Sequence, residues 1–214
     1  MNLHPDGGQL FASALAPSEV QALRHFLIDR SANTRVRPGS GLAPLLGPAD
    51  ALARHLLGAA ARPVGAKYFD KSPDRNWALG WHQDRTVPVR ERRDVRGFSR
   101  WTFKAGIAHC VPPFEYLARS LTLRLHLDEV GEANAPLLVA PRSHRLGPIA
   151  EREILAAVER CGTLSCEAAA GDIWAYATLI LHASPRAAEP ARRRVLQILY
   201  SAEDLPGGLE WAGI

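Results

Sequence analysis

Cysteine, lysine and methionine are scarce in this chain: of 214 residues, three are cysteines, three lysines and one is methionine. Cys110, Cys161 and Cys166 form no CxxC pair and leave one thiol unmatched in any pairing, which argues against a disulfide scaffold and suits a reducing compartment. No apolar run approaches the roughly 20 residues a membrane-spanning helix needs. The opening MNLHPDGGQL lacks the basic stretch followed by an apolar one that marks a secretory signal. A cytoplasmic location, with no membrane partner, is the expectation. Internal repeats and low-complexity tracts are absent as well. What remains, 47% apolar and 22% charged residues with 17 Gly and 16 Pro, is an ordinary globule, not a collagen, a coiled coil or a disordered chain. Its length fits a single domain, 1–214.

With only Lys67, Lys71 and Lys104 as lysines, the basic charge is almost all arginine, and the net charge is +4. The arginines are spread along the chain with acids among them, whereas a nucleic-acid binder concentrates them in a stripe with aromatic platforms. Nucleic acid is therefore not expected as a partner, and no obligate protein partner is evident. The densest cluster, Arg85 to Arg100, is broken by Glu91 and Asp94 and contains Gly97. It reads as a solvated loop, or as a mobile cover over a binding site that attracts an anion.

Residues 1–62 carry mainly helical signals. Pro17 followed by Ser18 and Gln21 predicts a capping box, with Val20, Leu23, Phe26 and Leu27 on one face. A loop over Arg30 to Pro48 and a second helix from Ala49 to Gly58 follow. Over 63–203 the period changes to two. Strands are expected at Val64–Phe69, Ala78–Val87, Leu121–Leu127, Leu137–Ala140, Asp172–His182 and Arg194–Ser201, with one helix at Ile149–Arg160. The four leucines of Leu121–Leu127 should all face one way. Helices first and short antiparallel strands after predict a mainly β fold, a double-stranded β-helix or jelly roll with the N-terminal helices packed outside.

Within Trp81-His82-Gln83-Asp84, a strand would turn His82 and Asp84 to one face. An imidazole and a carboxylate side by side are two-thirds of the facial triad that holds Fe(II) with open positions; alone, the pair equally describes a surface hydrogen bond. His182, at the end of the apolar run Ile173 to Leu181, is a third ligand if its strand returns beside the first, or a hydrogen-bonded strand end if it does not. Arg192, Arg193 and Arg194 open the last strand, and a guanidinium entering the barrel there would clamp a dicarboxylate in bidentate fashion. Strand parity leaves open which of the three enters. His126, Trp101, Lys104 and His109 read as a satisfied polar face or as lining of a pocket. His144 reads as structural.

From about Val64 onward the chain resembles the phytanoyl-CoA dioxygenase family of Fe(II)/2-oxoglutarate oxygenases. The matching stretches are Phe69-Asp70-Lys71-Ser72-Pro73, Asn76-Trp77, Trp81-His82-Gln83-Asp84, Leu121 to Asp128, Asn134-Ala135-Pro136-Leu137, Pro141-Arg142-Ser143-His144-Arg145, and Gly171-Asp172 through His182-Ala183-Ser184 to Arg193-Arg194-Val195-Leu196. The resemblance implies iron at His82, Asp84 and His182. It also implies 2-oxoglutarate at Arg193, eleven positions after His182, with Ser184 and Lys71 as further contacts. O₂ would be the second co-substrate, succinate and CO₂ the co-products, and hydroxylation of a small organic substrate the outcome, since Asp84 is intact where related halogenases have lost the carboxylate. The rivals are a non-catalytic or differently metallated cupin-like barrel binding a small carboxylate, and a nucleic-acid repair oxygenase. The chain departs from the family at Ala135 and Arg142, which stand where the family has glycine; altered turns are the expectation there.

Overall fold

A computed structural model describes residues 1–214. The elements run β1 (Gly8–Phe11), α1 (Pro17–Phe26), β2 (Thr34–Val36), α2 (Gly47–Leu57), β3 (Arg62–Lys71), β4 (Leu79–His82), β5 (Val87–Val89), β6 (Ser99–Lys104), β7 (Ile107–Val111), α3 (Phe114–Ala118), β8 (Leu121–His126), β9 (Leu137–Val139), α4 (Ile154–Cys161), β10 (Leu164–Cys166), β11 (Ile173–Ala177), β12 (His182–Ser184) and β13 (Arg193–Ser201). They form a six-stranded sheet, β1-β11-β8-β13-β3-β2, facing a four-stranded one, β10-β9-β12-β4, with a three-stranded flap, β5-β7-β6, at one end. This is the expected jelly roll, antiparallel throughout. No helix is long and apolar enough to cross a membrane.

The alternation in β8 divides its two faces cleanly. Leu121, Leu123, Leu125 and Leu127 are fully buried against Leu23 of α1, Leu27 just after it, and Ala49, Ala53 and Leu56 of α2, so the helices cover the outer face of the large sheet. Each such leucine contributes about 2 kcal/mol by leaving water. Thr122, Arg124 and His126 consequently point inward, into the space between the sheets.

Several expectations need correction. The capping box of Ser18 and Gln21 does not form: the helix begins at Pro17, where the fixed φ of proline suits the first turn, and Glu19 accepts the Ala16 N–H at 2.7 Å. The N-terminal part is not only helical, because β1 and β2 are the two edges of the large sheet. The span Ala78–Val87 is two strands, β4 and β5, and Asp84 follows β4 instead of lying within it. His182 begins a strand instead of closing one. The apolar run before it leaves the large sheet at Ala177 and crosses the interior to the small one through Ile180 and Leu181, both fully buried.

The arginine-rich segment is more structured than a free cover. Val87, Pro88 and Val89 are buried in the flap, Arg90 N–H donates to Glu210 O at 2.9 Å, and Arg93 pairs with Glu91. Pro88 packs on β3 so closely that a Cβ at Gly65 would lie 2.6 Å from Pro88 Cγ. Finally, Ala135 (φ 52°) and Arg142 (φ 67°) both adopt the left-handed conformation. The turns expected to be altered keep a glycine-like backbone, at the steric expense a Cβ imposes there.

Candidate metal and co-substrate site

β4 and β12 are neighbours in the small sheet, and their register sets His182 directly opposite His82, with ring centroids 4.2 Å apart. Asp84, two residues beyond His82, turns its carboxylate back, so that the three side chains bring ligand atoms within 4.8 Å of one another. His82 Nδ1 lies 2.8 Å from Gly80 O, and His182 Nδ1 lies 3.0 Å from Ile180 O. A carbonyl only accepts, so both Nδ1 atoms carry the proton and both Nε2 lone pairs are free. Burial holds the His182 imidazole well below its ordinary pKa, hence neutral near pH 7. Two imidazole Nε2 atoms and one carboxylate, with no other side chain completing the set, fit a divalent iron that keeps open positions.

Gln83, between two of these residues, points the other way. Its amide nitrogen donates to Leu179 O at 2.7 Å and to Gly147 O at 3.0 Å, and its carbonyl accepts Ile149 N–H at 2.9 Å. The segment leading to His182 is thereby tied to the segment carrying His82 and Asp84. Ser143 adds a second tie, accepting Leu181 N–H at 2.8 Å while donating to Ala140 O at 2.7 Å.

Facing the metal ligands, on the inner side of the large sheet, Arg193 and Lys71 are paired across β13 and β3. Only 3% and 4% exposed, they have no carboxylate partner. Lys71 Nζ donates to Ser184 Oγ at 3.0 Å and to the carbonyls of Trp77 and Pro185 at 2.6 and 3.1 Å. Arg193 reaches the same Ser184 Oγ at 3.2 Å and donates to Ala135 O. Burial, reinforced by other cations, lowers the pKa of both. Two buried cations sharing one hydroxyl, with no acid beside them, suit an anionic group. The neighbouring arginines point elsewhere: Arg194 forms a forked pair with Asp128 at 2.7 and 2.9 Å, and Arg192 faces Asp70.

A family model for phytanoyl-CoA dioxygenase matches residues 42–195. The chain belongs to the phytanoyl-CoA dioxygenase family. All the residues expected to form its site, His82, Asp84, His182, Arg193, Ser184 and Lys71, line one cavity. Similar solved structures include apo EctD from S. alaskensis, at a TM-score of 0.68 and 19% identity over 98% of this chain and 78% of that one. AviO1 from Streptomyces viridochromogenes Tue57 matches at 0.65 and 20%, over 95% and 93%. SnoK, described as a non-heme alpha-ketoglutarate dependent carbocyclase from nogalamycin biosynthesis, matches at 0.65 and 16%, over 100% and 88%. At these identities the likeness concerns the fold. A comparison with curated protein sequences gives no significant match.

The cavity of this phytanoyl-CoA dioxygenase family member also holds residues that sequence reasoning did not single out: Arg35, Lys67, Arg124 and Gln197. Of the four side chains left undecided between a pocket and a polar face, Lys104 and His109 line the cavity. His126 points inward, but neither ring nitrogen has a partner, so the satisfied polar face is wrong for it. One available signal was that β8 alternates leucine with Thr122, Arg124 and His126; between two sheets, the polar face of such a strand is the interior.

Proposed function

We propose that this protein is an Fe(II)- and 2-oxoglutarate-dependent oxygenase that hydroxylates a small organic substrate. The observation that carries the reading is the pairing of two centres in one cavity: a set of two free Nε2 atoms and a carboxylate, and opposite it the buried Lys71–Arg193 pair without a counter-charge. When bound, Fe(II) with 2-oxoglutarate and O₂ supplies an oxidant able to attack a C–H bond, with succinate and CO₂ as co-products. His82, Asp84 and His182 would hold the metal on one side only. Arg193 and Lys71 would take the distal carboxylate of 2-oxoglutarate, with Ser184 Oγ rotated to donate to it, and so fix the keto acid end toward the metal. EctD from S. alaskensis has been crystallised with Fe and, separately, with 2-oxoglutarate and 5-hydroxyectoine, which supports iron, the co-substrate and hydroxylation as the outcome here.

A nucleic-acid substrate fits less well. Outside the cavity several arginines are met locally by acids, as in Arg24–Asp128, Arg62–Asp204, Arg90–Glu210 and Arg92–Asp94. The test is anaerobic binding of Fe(II) and 2-oxoglutarate followed, on admitting air, by measurement of succinate. Binding of both with succinate release is the expected result, abolished in Asp84→Ala with the fold intact. Binding of 2-oxoglutarate without metal, and no succinate with any substrate, would instead establish the non-catalytic barrel.

A further inference from the structure

The cavity carries far more positive charge than iron and 2-oxoglutarate use. Its lining includes Arg35, Lys67, Lys71, Lys104, Arg124 and Arg193, all three lysines of the chain among them, against the single carboxylate of Asp84. The registers of the large sheet arrange these cations in two tiers. Lys71 and Arg193 form one tier. Four residues along, Arg35 of β2 stands beside Lys67 of β3, Lys67 beside Gln197 of β13, and Gln197 beside Arg124 of β8. At roughly 3.3 Å per residue the tiers are about 13 Å apart along the strands. One five-carbon dicarboxylate brings two carboxylates, one to the first tier and one to the metal, too few to neutralise Arg35, Lys67, Lys104 and Arg124 as well.

No carboxylate within the chain does so either. Arg35 donates to His109 Nε2 at 3.0 Å, an acceptor because its Nδ1 faces Ile107 O at 2.9 Å. Lys104 donates to Thr86 Oγ1 at 2.9 Å, and Arg124 to Gln197 Oε1 at 2.9 Å. Arg124 is 5% exposed, and its Nε is buried without any partner. Lys67 lies 4.5 Å over the Phe69 ring and has no hydrogen bond from its ammonium. Burial and the mutual repulsion of Arg35, Arg124 and Lys104 lower Lys67 to about 8. The Asp84 carboxylate opposes that shift.

We propose that the substrate is a compact organic oxyanion, a carboxylate or a phosphate ester, whose acidic group is held by Lys67 and Arg124 with Arg35 and Lys104 closing around it. This rests on the oxygenase reading, and it names the substrate class for that site. The bound acid group would sit across from Asp84, so the C–H bond presented to the metal would be a few bonds from the charge.

Matched probe pairs differing only in charge test the proposal: butyrate against butyramide, and phenyl phosphate against phenol. They are titrated into the anaerobic protein loaded with Mn(II) and 2-oxoglutarate, and each is then tried as a stimulator of succinate formation with Fe(II). At least one anion should bind tenfold or more tighter than its neutral partner, and the pair that responds identifies carboxylate or phosphate as the group. Lys67→Gln and Arg124→Gln should each weaken that anion about tenfold, Lys67→Arg should restore it, and in Lys67→Gln the dissociation constant of 2-oxoglutarate should stay within twofold. Neutral partners binding as well as the anions would overturn the proposal, as would variants that weaken 2-oxoglutarate instead of the probe. The wild-type comparison decides even if a variant fails to fold. Failure of the loaded protein to bind 2-oxoglutarate at all would count against the oxygenase reading itself, a distinct result.

Discussion

Gln83 offers a direct test of how the metal ligands are held, because it touches neither metal nor co-substrate. In Gln83→Ala two backbone carbonyls, Leu179 O and Gly147 O, lose a donor and Ile149 N–H loses its acceptor. Buried groups left unpaired cost about 1–3 kcal/mol each. Some of this is recovered by relaxation, since Gly147 O is only partly buried, and a net loss of about 3 kcal/mol is expected. For a chain of this size that lowers the thermal midpoint by roughly 6–12 °C. Leu179 lies three residues before His182, so its release also loosens one metal ligand relative to the other two. Groups that orient ligands in this way are worth about 10–100-fold in metal affinity. Anaerobic Mn(II) titration and thermal unfolding of the same preparations read both effects. Gln83→Glu separates hydrogen bonding from packing: it keeps the volume but aims a carboxylate at two carbonyls, so it should be at least as damaging as alanine. Metal affinity within twofold of wild type in both variants would refute the positioning role.

Replacing Arg193 by Lys and then by Ala should weaken 2-oxoglutarate progressively in calorimetric titration, with a loss on the order of 2–5 kcal/mol for Ala, while Mn(II) affinity without 2-oxoglutarate stays nearly constant. Arg194→Ala should leave 2-oxoglutarate binding unchanged yet cost about 2 kcal/mol in denaturant unfolding at pH 7, since Arg24 remains as a second partner for Asp128. The acid side follows in sign: the Arg194 hydrogen bonds outweigh burial and hold the Asp128 carboxyl below its usual range. That stabilisation is present above about pH 4 and is lost as pH falls through the lowered value, so wild type and Arg194→Ala should converge in acid. Ala135→Gly should raise stability by up to about 1 kcal/mol, because the left-handed φ there no longer meets a Cβ and the carbonyl facing Arg193 is kept; a drop in midpoint would refute the strain argument.

What was legible in the sequence depended on how local its cause was. The leucines of β8 announce a strand because period-two burial is written into consecutive residues, and the candidate metal ligands His82 and Asp84 stand out because they are near neighbours matched by a motif. β1 and β2 leave no such signature, because Gly8–Phe11 and Thr34–Val36 are short edge strands, defined by what they pair with and not by a pattern of their own. The expected strand Asp172–His182 runs through the crossover after Ala177 because burial on all sides looks the same in sequence whether the backbone is paired or turning. The second tier of cations was invisible for a stronger reason. Arg35, Lys67 and Arg124 come from three strands far apart in the chain, and their alignment exists only through the registers on either side of β3 and β13.

Those same registers explain why such a tier suits a reactive centre. Lys67, Gln197 and Arg124 stand on β3, β13 and β8, each hydrogen-bonded to neighbouring strands on both sides, whereas His82 and His182 belong to the opposite sheet and Asp84 follows just after its strand β4. Facing sheets pack about 10 Å apart, a distance fixed by the side chains between them. A metal held from one wall and an acid group held by lysine and arginine from the other therefore meet in a gap whose width the fold determines, with space between them for one compact molecule. Arg35, on the edge strand β2, and Lys104, on the flap, are less constrained than the inner pair. They are placed to close on an anion already located by Lys67 and Arg124, so position would be set by the sheet and retention by its margins.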